Sequence, residues 1–141
     1  MRHWVLLHYR VPPTPSAGRV AVWRKLKQLG ALLVHDSVWV LPDTPWTTEQ
    51  LQWLAAEIAE RHGDAFVWQA QGMMPGQDAA LRARFLAASE EEYRAIGQDL
   101  QQDGADRTTL AKRYQQAHRR DYFGCPLGPQ IYQALIRAKE D

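Results

Sequence analysis

The chain has 141 residues, enough for one domain that buries a core without disulfides or metal. Hydrophobic residues make up 45% and charged residues 23%, a globular composition, and the net charge of +1 singles out no partner. Cys125 is the one cysteine, which excludes an internal disulfide and fits a reducing, cytoplasmic setting.

After Met1-Arg2-His3, the apolar run Trp4 to Leu7 stops at His8 and Arg10, too soon for a signal peptide or a membrane span. Trp4 to Arg10 instead predicts a strand. Pro12, Pro13 and Pro15 make a stiff loop. From Arg19 to Leu29, Val22, Leu26 and Leu29 share one helical face, and Gly30 is placed to cap the end. Ala31 to His35 and Ser37 to Leu41 predict two strands with a tight turn near Asp36. Thr47 to His62 predicts a second helix, with Thr47 and Gln50 as a capping box, Leu51, Leu54 and Ile58 as the buried stripe, and Gly63 at its end. Ala65 to Ala70 predicts a fourth strand.

The order β-α-β-β-α-β is the ferredoxin-like arrangement, with both helices on one face of a four-stranded sheet. The fold class is α+β, a ferredoxin-like domain over residues 1–74 with a helical extension over 75–141 packed on it as one structural unit. The strands are apolar on both sides, where a sheet wet on one face alternates apolar and polar. A second copy of the chain, the C-terminal helices, or both are expected to cover the second face, and a homodimer is the expected assembly. Gln77 to Leu100 and Asp106 to Arg120 predict helices around a break at Gly104. Pro129 suits the first position of a last helix.

Two basic clusters are candidate nucleic-acid surfaces. The first is Arg19, Arg24, Lys25 and Lys27, four cations in nine residues with no carboxylate, lying off the buried stripe. A solvated helix surface explains the same pattern. The second runs from Arg107 to Arg120, with Lys112, Arg113, Arg119 and Arg120 among aromatic and imidazole rings. Six acidic residues between Glu90 and Asp106 precede it, so pairing within the chain competes with nucleic acid for these cations.

Cys125 with His118 is a candidate anion or redox pair, against the simpler reading of a structural cysteine. The five histidines are scattered, with no ligand spacing for a metal, and no cofactor motif appears. Small ferredoxin-like CRISPR-associated nucleases hold a metal with an aspartate at the end of the first strand. Here that strand ends His8-Tyr9-Arg10, and a cation there repels a metal. A non-enzymatic protein is expected.

Several segments together resemble a known family. Trp4 to Pro12, Gly18-Arg19-Val20 with Val22 to Ala31, Asp36 to Pro42, and Arg119-Arg120-Asp121-Tyr122-Phe123-Gly124 resemble the N-terminal domain of ChrB proteins. These are regulators associated with bacterial chromate-resistance operons, and typical members continue into a second domain. The resemblance implies a transcription-related role and a distant likeness to the central domain of phenylacetate-operon repressors. The expected partner is nucleic acid, DNA above RNA, with no membrane. Two alternatives stand beside it: a protein-interaction module using the second sheet face, and a sensor that binds an oxyanion such as chromate through arginines and Cys125.

Overall fold

The computed structural model describes residues 3–140. Met1 and Arg2, the start of the expected first domain, and Asp141, the end of the second, lie outside the described residues. The elements are β1 (Trp4–Arg10), α1 (Ser16–Leu29), β2 (Leu32–His35), β3 (Val38–Pro42), α2 (Pro45–Glu60), β4 (Asp64–Ala70), α3 (Gln77–Leu100), α4 (Arg107–Arg119) and α5 (Leu127–Glu140). They form two compact units, one up to Asp78 and one from Ala79 onwards. The fold is α+β, with a βαββαβ first part followed by helices.

In the first unit the sheet order is β2-β3-β1-β4 and every neighbour is antiparallel. That is the strand order of the ferredoxin-like arrangement. Val5 and Leu7 of β1 share a face with Leu41 of β3, and all three are buried. Val22, Leu26 and Leu29 of α1 and Leu51, Leu54 and Ile58 of α2 are the buried stripes that the helical period marked out. Each such side chain contributes about 1.5–3 kcal/mol by leaving water.

The ends of these elements have local causes. Helix α1 starts at Ser16 rather than Arg19, because Pro15 serves as its N-cap residue and the proline loop is correspondingly shorter. Gly30 closes it in the left-handed region at φ 77°. Asp36, at φ 46°, makes the turn between β2 and β3. The α2 capping box differs from the expected Thr47–Gln50 pair. Thr44 is the N-cap, and its side chain and that of Thr47 exchange bonds with each other's backbone N–H. Pro45 starts the helix two residues earlier than the apolar stripe suggested, so Thr47 falls at the third helical position. Gly63 is required by close approach: a Cβ there would lie 2.3 Å from the carbonyl oxygen of Arg10.

The second sheet face is covered in part. Trp4 and Val40 lie on it and are 2% and 0% exposed, whereas Phe66 and Trp68 on β4 are 56% and 53% exposed. Within one chain the cover therefore stops short of β4. Trp4 donates its indole N–H to Asp78, at 2.9 Å.

The second unit has its own core of Tyr93 and Ile96 from α3, Leu110, Tyr114 and Ala117 from α4, Cys125 from the turn, and Ile131 and Leu135 from α5. Asp106 caps α4 by accepting from the N–H groups of Thr108 and Thr109. Helix α5 starts at Leu127, so Pro129 stands in its first turn, two residues later than expected, where backbone donors still lack partners within the helix. Among the described residues no helix is long and apolar enough to cross a membrane.

Candidate nucleic-acid interface

The cations on α1 are sorted by helical geometry. Successive residues turn by about 100°, so Arg19, Trp23 and Lys27 form one ridge, with Val20 and Arg24 beside it on the same surface. Lys25 falls on the other flank of the buried stripe and is half-buried. Arg19, Arg24 and Lys27 are exposed, and among the described residues none of them makes an ion pair. Trp23 is 52% exposed, and the Lys27 ammonium lies 6.0 Å from its ring centre.

The ridge borders an open groove of about 600 Å³, lined by Arg19, Val20 and Trp23 from α1, Tyr9 and Arg10 from β1, and by Ser37 and one acid, Asp36, from the β2–β3 turn. Burial raises the pKa of the Tyr9 hydroxyl, against the opposing pull of its hydrogen bond with Trp39 and of the Arg19 guanidinium. Tyr9 is thus a neutral hydroxyl at physiological pH, held beside a fixed cation. Arg10 pairs with Asp64 at 3.6 Å, and both side chains are largely exposed. Tyr9 and Trp23 were not marked by sequence reasoning. The available signal was a tryptophan four residues after Arg19 and four before Lys27, off the apolar stripe.

The second basic cluster belongs to the other unit and is partly neutralised. Arg113 donates to Asp99 at 2.6 Å. Arg120 binds Glu92 through two nitrogens, at 3.1 and 2.6 Å. Both acids come from the stretch that precedes α4. Lys112 and Arg119 are exposed, and among the described residues they make no ion pair.

Cys125 and His118 are not brought together as a reactive pair. Cys125 is 4% exposed and part of the core, and its backbone N–H donates to Asp121. His118 is exposed and stacks on Tyr114, with ring centres 5.8 Å apart. Asp121 also accepts from the Tyr93 hydroxyl at 2.9 Å, so these side chains tie the turn to α3. Among the described residues no group of three or more His, Cys, Asp or Glu could hold a metal.

The family model for the N-terminal part of protein ChrB matches residues 19–119, from the first cation of the α1 ridge to the last residue of α4. The chain belongs to the ChrB N-terminal family. Protein ChrB of Cupriavidus metallidurans strain CH34 is 33% identical over 87 residues, which is 62% of this chain. The match spans 27% of that ChrB protein's length. The ChrB match includes both basic clusters, apart from Arg120, and stops before Cys125.

Proposed function

We propose that this ChrB N-terminal chain is a cytoplasmic, non-enzymatic regulatory module of the chromate-resistance type that binds DNA, working as a homodimer. The observation that carries this reading is the α1 surface, where Arg19, Arg24 and Lys27 surround the exposed Trp23 and, among the described residues, make no ion pair. Cations of this kind contact phosphates, and an exposed ring between them adds an apolar or stacking contact. Helix α1 is the primary surface. Lys112 and Arg119 of α4 are auxiliary, because their neighbours Arg113 and Arg120 are held by acids of the same chain.

The test is fluorescence anisotropy with a labelled duplex from upstream of the protein's own coding region, beside a scrambled duplex of equal length. The expected result is binding to both, tighter to the upstream duplex, and weakened at least tenfold by Arg24→Gln with Lys27→Gln. Equal affinity of the wild type and that double variant for the upstream duplex would remove α1 from the interface.

A further inference from the structure

Strand β4 is an edge of the sheet, and among the described residues its backbone bonds only to β1. It lacks three of the devices that keep an edge strand single: there is no lysine, no proline and no irregularity of register over its seven residues, and its one charge, Asp64, stands at the end and pairs with Arg10. The opposite edge differs. β2 has four residues, and its pairing is irregular between Leu33 and His35. On β4, Phe66 and Trp68 point to one face, exposed, with rings stacked and centres 6.0 Å apart.

We propose that β4 pairs antiparallel with β4 of a second copy of this chain, about a two-fold axis at Val67, to give one continuous eight-stranded sheet. The proposal deepens the homodimer part of the reading above and does not depend on α1 binding DNA. Its register follows from the order of residues. With Val67 opposite itself, Phe66 lies opposite the partner's Trp68, Ala65 opposite Gln69, and Asp64 opposite Ala70. The four aromatic rings form one cross-strand cluster, and no like charges face each other. A slip by one residue would set the aromatic face of one copy against the helix-covered face of the other.

The helical layer fits the same axis. Helix α2 lies over β4 and β1. Its flank on the β4 side carries Thr48 and Gln52, which with Glu49 share a groove with Val67 and Gln69. Ala55 and Ala59 continue that flank along the helix. With strands about 4.8 Å apart, two α2 helices centred over the β4–β1 boundary stand about 10 Å apart across the axis, a packing distance for helices with small facing side chains. The edge is about 24 Å long, and a sheet with one helical layer is about 20 Å deep. Two copies therefore bury about 1,000 Å², the size at which a specific interface begins.

The experiment uses the full chain, with its mass in solution measured by light scattering and sedimentation over a concentration series. Three outcomes are expected: a dimer; at least tenfold weaker association for Phe66→Lys with Trp68→Lys, at unchanged far-ultraviolet circular dichroism; and a disulfide-linked dimer of Val67→Cys on mild oxidation. The unsubstituted chain, whose Cys125 is buried, is the oxidation control. Ala65→Cys alone is expected not to cross-link, whereas Ala65→Cys with Gln69→Cys does. A monomer at every concentration overturns both this interface and the homodimer reading. A dimer that ignores the two lysines, or in which Val67→Cys stays reduced, overturns the β4 edge alone and moves the dimer to another face.

Discussion

Tyr93 is fully buried, and its hydroxyl donates to Asp121, which also accepts from the N–H of Cys125. Gly128 is part of the same fit, since a Cβ there would lie 3.1 Å from the Tyr93 ring and hydroxyl. Burial, and then the bond to Asp121, push the Tyr93 pKa well above its ordinary value. Burial pushes Tyr122 up to about 12. The folded state therefore holds these protons more tightly than the unfolded chain. Their contribution is fully present below the ordinary tyrosine pKa of about 10 and is lost as pH rises above it. From pH 8 to above pH 10 the urea midpoint is expected to fall for the wild type and to fall less for Tyr93→Phe, a variant that itself costs about 1–2 kcal/mol at pH 8. An alkaline loss identical in both would remove Tyr93 as its source. Asp121→Ala is expected to cost about 2–3 kcal/mol in the same titration, because it strands a buried hydroxyl and a backbone donor together. None of these bonds was legible in the sequence, where Cys125 stood out as a candidate for chemistry with His118.

At the scale of elements, Thr47 joins β3 to α2. It is fully buried, donates to the carbonyl of Pro42 at 2.6 Å, and closes the capping box with Thr44. Thr47→Val keeps the shape and removes these bonds, so it is expected to cost about 2–3 kcal/mol, against about 1 kcal/mol for the cap residue in Thr44→Ala. Chemical denaturation measures both, and equal costs would deny Thr47 its second role. The apolar stripes of α1 and α2 were readable because three buried positions at helical spacing leave no other face to hide. The capping pair was not, because Thr44, Thr47 and Thr48 offer several hydroxyls and only the turn geometry selects among them. The opposite charges of α4 and of the stretch before it were visible, but which cations pair depended on packing. Arg120→Gln is expected to lower stability by about 1 kcal/mol, through loss of its two bonds to Glu92, and to leave DNA affinity within about twofold. A large loss of affinity without a loss of stability would make Arg120 a DNA contact.

Over the whole molecule, the order of strands and helices carried the fold class, because alternation of periods 2 and 3.6 with glycine and proline breaks admits few topologies. The ChrB resemblance was legible in the same way, in the run through Arg19 to Ala31. The extent of cover on the second sheet face was not legible, since Trp4, Val40, Phe66 and Trp68 look equally apolar in sequence yet divide into buried and exposed. The candidate site was half legible. Its cations could be named, whereas their sorting around Trp23, with Lys25 on the far flank, needed the helix to be in place. That sorting gives the decisive comparison. The logarithm of DNA affinity is measured against the logarithm of salt concentration for the wild type, for Arg24→Gln with Lys27→Gln, and for Lys25→Gln. Each phosphate contact adds about 0.9 to the slope. The slope is expected to shrink by about 1.5–2 in the double variant and by less than about 0.3 for Lys25→Gln. Equal slopes for all three proteins, or a larger loss for Lys25→Gln, would contradict an interface built on the Arg19–Trp23–Lys27 ridge.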